Sequence, residues 1–201
     1  MKSQAITSNF QEAETEALAA AVFKDEKATD GFLKNLDDLT GGLVAAILDN
    51  DEFKGEAGET ALVYFSGGEN VTASRLLLIG VGDRGDYKAA AVSALAGTAA
   101  RVLKKKNIKS FALAPRCEDA AATVAQAAAQ GVAASHFELD KYKTKEKNEK
   151  AIENFVLFVE ADSNDELQTA LSRGQIIGGI GLYSGEDSLF IGHGRKCSKI
   201  N

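Results

Sequence analysis

The segment from Gly80 to Gly85 has the glycine spacing with which dinucleotide-binding proteins hold a pyrophosphate. In that pattern the first glycine makes a tight turn, the second lets the backbone approach the phosphates, and the third lets a helix pack close to a strand. The apolar run 76–79 before it is typical of a buried strand, and the alanine-rich stretch from about Tyr87 to Lys106 predicts a helix after it. Gly80, Val81 and Gly82 are therefore candidate cofactor-binding residues.

The rest of the dinucleotide pattern is incomplete. An acidic residue that binds the ribose should follow about 20 residues later, at the end of the next strand. The predicted strand Ser110 to Ala114 ends instead in Pro115-Arg116. Arg116 is suited to a 2′-phosphate, whereas the Asp83 carboxylate inside the glycine turn repels phosphate. The alternative, which we favour, is that the glycines supply the backbone angles of a strand-to-helix turn.

Other side chains with chemical potential do not make a complete site. His193 and Cys197 have the spacing of two metal ligands, but a structural zinc site needs four, and His136 and Cys117 are the only other histidine and cysteine. The segment Ser66-Gly67-Gly68-Glu69 lacks the second flanking glycine of a nucleophile turn and has no histidine near it in the sequence. We therefore predict no catalytic residue and no metal site in this chain.

The charged clusters are interpreted as solvated surface. Asp37-Asp38 lie on a predicted helix and residues 49–52 lie at its end, where carboxylates are commonly exposed. Five lysines between Lys141 and Lys150 form a basic loop that could contact an anionic surface or nucleic acid. Two glutamates and a single aromatic residue interleave with these lysines, so a solvated loop is the favoured interpretation.

The composition is typical of a soluble globular protein. The chain has 201 residues, 45% of them hydrophobic and 26% charged, and its formal net charge of −6 disfavours nucleic acid as a partner. No apolar stretch approaches the roughly 20 residues that cross a bilayer, and the first residues do not lead into a signal peptide. The two cysteines make no disulfide framework. These features predict a cytoplasmic protein with no membrane partner.

Predicted strands and helices alternate along the chain, which implies crossover connections and a largely parallel sheet. In the first helix, apolar residues recur at three- and four-residue spacing from Phe32 to Ile47, and Asp30 is placed to cap it. We expect a three-layer α/β fold whose mixed, mostly parallel sheet has helices on both faces. The strands are predicted at about 5–7, 18–23, 61–65, 76–81, 110–114 and 155–159, and the helices at about 30–49, 87–106, 119–134 and 164–177.

The sequence changes character after residue 178. Residues 179–201 are rich in glycine and have no helical periodicity, which predicts an extended or disordered tail. No earlier segment has the composition of a linker between two domains. We therefore predict one domain over residues 1–178, followed by a divergent glycine-rich tail over residues 179–201.

Three segments share a pattern with a known family. They are Leu36-Asp37-Asp38-Leu39-Thr40-Gly41-Gly42, the lysine-glycine turn from Phe53 to Thr60, and the stretch from Arg75 to Gly82, in which an arginine opens a Leu-Leu-Leu-Ile-Gly-Val-Gly strand. Together they resemble the N-terminal domain of the leucyl aminopeptidase (cytosol aminopeptidase) family. The resemblance extends over about residues 3–178 and ends in a segment similar to the start of the family's interdomain helix. It implies a macro-domain-like fold.

In the family that this chain resembles, two zinc or manganese ions in a separate C-terminal domain serve to remove N-terminal amino acids from peptides. The family's metal-binding segments do not occur in this sequence, which departs from the family pattern at Gly178. We therefore expect no cofactor in this chain and no aminopeptidase activity from it alone. A truncated gene, a shifted reading frame and a paralogue without its catalytic half are explanations that the sequence leaves open.

The resemblance also implies a role in assembly, since the N-terminal half of family members lies on the outside of a hexamer and contributes contacts between trimers. The expected partner is another copy of the chain or a catalytic aminopeptidase domain. Some bacterial members bind DNA, which the acidic balance disfavours and the lysine loop keeps open. The alternative function is a stand-alone macro-like module that binds ADP-ribose or another nucleotide near Gly80, Val81 and Gly82, by analogy with ligand sites at strand ends.

Overall fold

The computed structural model describes residues 1–7, 10–29, 31–50, 53–66, 71–135, 151–160 and 164–191, which form an alternating series of strands and helices. The strands are β1 (Lys2–Ile6), β2 (Ala17–Val22), β3 (Thr60–Tyr64), β4 (Arg75–Gly80), β5 (Ser110–Ala114) and β6 (Asn154–Phe158). The helices are α1 (Gly31–Thr40), α2 (Leu43–Leu48), α3 (Ala89–Lys105), α4 (Ala121–Ala134) and α5 (Asn164–Ile191), and a short 3₁₀ turn lies at Phe10–Glu12.

The six strands form one sheet in the order β1-β6-β5-β2-β4-β3. All neighbouring pairs are parallel except β3 and β4, which are antiparallel. β2 lies near the centre, between β5 and β4, and all of its residues are buried. Its uninterrupted apolar sequence is the composition expected of a strand that is covered on both faces. The predicted α/β fold with a mixed, mostly parallel sheet is confirmed.

Helices cover both faces of this sheet and create two hydrophobic cores. On one face, α3, α4 and α5 pack against alternate strand residues, among them Leu77, Ile79 and Leu113. On the other face, α1 and α2 pack against the intervening residues, such as Leu76 and Leu78. The two sets alternate because successive side chains of a strand point to opposite faces of the sheet.

The helices α3, α4 and α5 pack closely because glycines lie where they meet. A Cβ atom at Gly131 of α4 would lie 2.0 Å from the carbonyl oxygen of Ser93 in α3. A Cβ atom at Gly174 of α5 would lie 2.2 Å from the carbonyl oxygen of Gln126 in α4. Both distances are well below van der Waals contact, so larger residues at these positions would force the helices apart.

The first predicted helix is interrupted. The sequence predicts one helix over 30–49, whereas Gly41 and Gly42, with φ angles of +68° and +91°, separate α1 from α2. Glycine adopts such angles without strain and commonly ends a helix. Asp37 is buried, although the sequence predicts a solvated side chain, and its Oδ1 accepts a hydrogen bond of 2.8 Å from the N–H of Ala45. The carboxylate thereby binds an amide N–H in the first turn of α2. Such an N–H has no hydrogen-bond partner within its own helix.

The last helix is longer than predicted. Residues 179–191 belong to α5, where the sequence predicts an extended or disordered tail. Extending a helix costs less than nucleating one, because each added residue gains a hydrogen bond without a new first turn. Glycine weakens a helix but does not stop it. The domain boundary at residue 178 stays a prediction, and residues 192–201 lie outside the described part. None of the helices in the described ranges combines the length and apolarity needed to cross a membrane.

Candidate functional site

The parallel strands end at one edge of the sheet, and a cleft opens there between the loops that follow β2, β4, β5 and β6. Its volume is about 390 Å³. Three phenylalanines, Phe23, Phe32 and Phe158, contribute aromatic surface to its lining. Charged residues of both signs surround them, namely Arg84, Arg116, Glu118, Asp119 and Glu160. Open α/β sheets place their ligands at this edge, so the cleft is the first candidate for a binding site.

The central charged contact of the cleft joins Arg116, after β5, to Glu26, after β2. Two guanidinium nitrogens of Arg116 donate to the two carboxylate oxygens of Glu26 at 2.8 and 2.6 Å. Arg116 has a left-handed φ of +56° and also donates to the carbonyl oxygen of Ala21 at 3.1 Å. The Arg116 side chain thus reaches across the strand ends to the loop after β2.

The environment of Glu26 keeps its carboxylate ionised. Burial raises the pKa of this carboxyl group, but hydrogen bonds from Arg116 and from the N–H of Phe23 lower it more. The pKa therefore lies below the ordinary value of 4.5. Because both carboxylate oxygens of Glu26 bind the guanidinium of Arg116, this arginine is already paired within the chain. A 2′-phosphate at Arg116, as the sequence suggests, would compete with that pair.

Arg84, in the glycine segment, is held in a similar way. Its guanidinium carbon lies 4.3 Å from the ring centre of Phe23, within the range of a cation–π interaction. One of its nitrogens donates to Glu118 at 3.2 Å, and another lies 3.8 Å from Glu26. More than half of the Arg84 side chain is exposed, so these pairs are screened by water and individually weak.

The three candidate cofactor-binding residues use their amides within the protein. Their N–H groups donate to backbone carbonyl oxygens, each at 2.9 Å: Gly80 to Glu59, Val81 to Val22, and Gly82 to Gly55. A dinucleotide site needs such amides to face the pyrophosphate. Their geometry does not favour that role, and nucleotide binding at these residues stays a prediction.

Gly80 is required by a close backbone approach. A Cβ atom at this position would lie 2.1 Å from the carbonyl oxygen of Glu56, in the turn that precedes β3. In the same turn, the carbonyl oxygen of Gly55 accepts a hydrogen bond from the N–H of Gly82. The N–H of Gly58 donates a hydrogen bond of 3.0 Å to the carbonyl oxygen of Gly80. The glycines after β4 therefore let two turns pack against each other, whereas the sequence interpretation is that they supply backbone angles; that reason applies to Gly82, whose φ is +75°.

The N-terminus of α3, where a pyrophosphate would bind in a dinucleotide site, already holds a carboxylate. The Oδ2 atom of Asp119, in the loop after β5, accepts a hydrogen bond of 2.7 Å from the N–H of Ala89, the first residue of α3. A negative charge at a helix N-terminus is stabilised by the helix dipole and by the free amides. The chain thus supplies its own anion at this position.

Two further polar groups lie near the cleft, Cys117 and Tyr87. Burial is the main cause that raises the pKa of the Cys117 thiol, which keeps it protonated and weakly nucleophilic near neutral pH. Burial likewise raises the pKa of the Tyr87 hydroxyl, whose oxygen has no hydrogen-bond partner among the described residues. Neither group has the activation that a nucleophile needs.

Several residues considered from the sequence fall outside the described ranges. They are His136, His193, Cys197, Asp30, Asp51, Glu52, Gly67, Gly68, Glu69 and the lysine loop 141–150. Within the described residues, no group of three histidine, cysteine or acidic side chains is arranged to hold a metal ion. Sequence reasoning missed Glu26 and Phe23, and no local signal could have identified them, because the contact between Glu26 and Arg116 spans 90 positions.

Comparisons with known proteins give a consistent result. The family described as "Cytosol aminopeptidase family, N-terminal domain" matches residues 19–146. A probable cytosol aminopeptidase of Solibacter usitatus is 36% identical over 126 residues, which cover 63% of this chain and 25% of that protein. One of Acidobacterium capsulatum is 30% identical over 194 residues, which cover 89% of this chain and 37% of that protein. The chain therefore spans between 25% and 37% of the length of these relatives.

Solved structures agree on the fold. A mutant of tomato leucine aminopeptidase superposes with a TM-score of 0.74 at 20% identity, over 89% of this chain and 36% of that one. The bottromycin maturation enzyme BotP gives a TM-score of 0.52 at 17% identity, over 80% of this chain and 29% of that one. At such identities the similarity concerns the arrangement of strands and helices alone.

Proposed function

This chain belongs to the cytosol aminopeptidase family, in which it corresponds to the N-terminal domain, and we propose that it is a non-catalytic assembly domain. On this proposal the release of N-terminal amino acids, with zinc or manganese, belongs to a separate catalytic domain. The cytoplasm is the proposed location of the complex. The contribution of this chain is a surface that packs against that domain.

The observation that carries the proposal is an apolar pair on the outside of α5. Ile176 and Ile177 are 61% and 41% exposed, although both are large aliphatic residues. The opposite side of the helix is buried against α4 and the sheet through Leu167 and Leu171. Fully burying such an isoleucine stabilises a contact by about 1.5–3 kcal/mol. Two of them side by side favour a partner on this face.

The position of the pair in the chain supports the same partner. Ile176 and Ile177 lie 30 positions or more after the segment that matches the family, which ends at residue 146. The region that the relatives share with this chain makes up only 25% to 37% of their length. A helix at the end of an N-terminal domain is the element nearest in sequence to whatever follows it, so we infer that α5 packs against the catalytic domain.

A chimera tests the proposal. In the chimera, residues 1–178 of this chain replace the matched part of the Acidobacterium capsulatum relative. Sedimentation velocity then compares the mass of the assembled chimera with that of the assembled, unaltered relative. We expect equal masses and manganese-dependent hydrolysis of leucine p-nitroanilide, whereas this chain alone should give no turnover. A chimera that is folded but smaller than the relative would overturn the proposal.

Matched variants locate the contact. Replacing Ile176 and Ile177 by aspartate places two charges on the proposed surface and should weaken assembly by about 3 kcal/mol or more, because buried charges must be desolvated. Leu43→Asp in α2 is the control, since Leu43 is also 40% exposed but lies on the other face of the sheet. Equal effects of the two changes would mean that α5 is not the contact.

A further inference from the structure

Among the residues that the structure describes, the outer edge of β3 has backbone groups without a partner. β3 is the last strand of the described sheet and pairs with β4, in the antiparallel register Ala61–Leu78 and Val63–Leu76. The hydrogen bonds from Gly80 to Glu59 and from Phe65 to Ser74 continue this ladder at both ends. In an antiparallel strand, the backbone groups of alternate residues form hydrogen bonds with the same neighbouring strand. The backbone groups of the odd-numbered residues of β3 therefore bond to β4. The N–H and C=O groups of the even-numbered residues 60, 62 and 64 therefore face outward.

The two edges of the sheet differ in their protection. At β1, the opposite edge, the side chain of Gln168 in α5 donates to the outward carbonyl oxygen of Ser3 at 2.9 Å. Proteins also protect edges with lysine, proline or bulges. β3 has the sequence Thr-Ala-Leu-Val-Tyr, without charge or proline, and Tyr64 is 59% exposed. In the described part of the chain, no other segment pairs with the β3 edge.

We infer that β3 is a self-association site, at which a second copy of this chain adds its own β3 in antiparallel orientation about a twofold axis at Leu62. In that arrangement Thr60 of each copy lies opposite Tyr64 of the other, and the two Leu62 residues are opposite each other. All three pairs have outward-facing groups, so the pattern is complementary to itself and provides about six interchain backbone hydrogen bonds. This partner rests on the proposed assembly role and specifies it.

Charge opposes a second copy least at this edge. The chain has a net charge of −6, so two copies repel each other over most of their surfaces. β3 itself is uncharged, whereas Glu59 flanks its first residue and Arg75 pairs with its last residue, Tyr64. Antiparallel pairing brings the acidic end of one strand to the basic end of the other. Thr60 and Tyr64 are also residue types that pair well across strands.

The test uses the full chain and a matched pair of variants at Leu62. Leu62→Pro removes an outward N–H without removing a β3–β4 hydrogen bond, and proline is tolerated on an edge strand. Leu62→Ala removes the same side-chain contacts but keeps the N–H. Because a contact of two short strands is small, sedimentation is followed from about 20 µM to about 1 mM chain. We expect the masses of the wild type and Leu62→Ala to rise from 21.2 kDa towards twice that value, and that of Leu62→Pro to stay constant.

A second measurement needs no variant. Amide exchange of the wild type, followed by NMR, should slow with concentration at Leu62 and Tyr64 and stay constant at Ala61 and Val63, which bond to β4. A constant wild-type mass over the whole range, or concentration-independent exchange at Leu62, would overturn the inference, as would dimerisation of folded Leu62→Pro equal to the wild type. The aspartate variants of Ile176 and Ile177 should still dimerise. A lack of dimerisation through β3 can therefore be distinguished from a failure of the chimera to assemble.

Discussion

Arg116 and Glu26 form a two-point ion pair, with nitrogen–oxygen distances of 2.6 and 2.8 Å, that joins the loop after β5 to the loop after β2. Both side chains are at least four-fifths buried. The pair lies at the carboxyl ends of the parallel strands, where α/β proteins place ligands. It neutralises the arginine that is best placed to receive an anion. The contact therefore stabilises the strand ends of this domain, and Arg116 is not free to bind an anion.

Replacing Glu26 by glutamine should cost about 2 kcal/mol of unfolding free energy at pH 7, because Arg116 then loses its charged partner in a largely buried position. The pKa of Glu26 is lower in the folded protein than the ordinary 4.5. Its stabilisation is therefore complete above pH 4.5 and is lost as the pH falls through the lower folded value. Urea unfolding of both proteins should give a difference in unfolding free energy at pH 7 that shrinks as the pH falls below 4.5.

Glu118→Gln is the matched control for that experiment. Glu118 pairs with Arg84 at the rim of the same cleft, where both side chains are more than half exposed. We expect a change of at most about 0.5 kcal/mol, since exposed pairs are screened by water. If the two glutamine variants lost the same stability, or if the Glu26 difference did not depend on pH, the assigned role of the buried pair would be wrong.

Gly80→Ala should destabilise the fold by about 3 kcal/mol, because the added Cβ would lie 2.1 Å from the carbonyl oxygen of Glu56. Gly85→Ala, five residues later in the same glycine segment, meets nothing within 4 Å and should change stability by less than about 0.5 kcal/mol. Urea unfolding curves measure both. A neutral Gly80→Ala variant would contradict the close packing of the two turns.

Titration calorimetry tests the nucleotide alternative directly. The amides of Gly80, Val81 and Gly82 are all donated within the protein, and Asp119 already caps α3. We therefore expect no heat of binding with ADP-ribose, NAD or NADP at millimolar ligand. Saturable heat that disappears in a variant of the cleft, such as Arg84→Ala, would instead support the macro-like module.

Adjacent glycines in α5 should respond oppositely to alanine. A Cβ atom at Gly178 would lie 2.7 Å from both the Ala133 Cβ and the carbonyl oxygen of Gln130, so Gly178→Ala should cost about 1 kcal/mol or more. Gly179 has nothing within 4 Å, and Gly179→Ala should raise stability by up to about 1 kcal/mol through helix propensity. Thermal unfolding followed by circular dichroism measures both. Destabilisation by Gly179→Ala would argue against a helix beyond residue 178.

The strands could be predicted from the sequence because their signal is local. The apolar run Leu76 to Ile79 marks β4, and Ser110 to Ala114 marks β5 with the bounds that the structure has. The break at Gly41 and Gly42 was not predictable from periodicity, because the apolar pattern continues on both sides of it. The buried position of Asp37 follows from that break, since only a second helix start gives its carboxylate an amide to bind.

The candidate site shows the opposite case, because its contacts are distant in sequence. The glycine pattern identified a real turn, but the residue that requires Gly80 is Glu56, in another turn more than 20 positions earlier. The partner of Arg116 lies 90 positions away in a loop that has no distinctive pattern. Such pairs depend on which strand ends meet at one edge of the sheet, and a single sequence does not specify that order.

The most direct test of the assembly role is hydrogen–deuterium exchange of α5 in the chain alone and in the chimera. Ile176 and Ile177 are exposed in the isolated domain, and a domain packed on them should stabilise the surrounding helix against local opening. We predict that amides of residues 172–179 exchange at least about tenfold more slowly in the chimera, with β2 unchanged as an internal reference. Equal exchange of α5 in the two proteins would contradict the account.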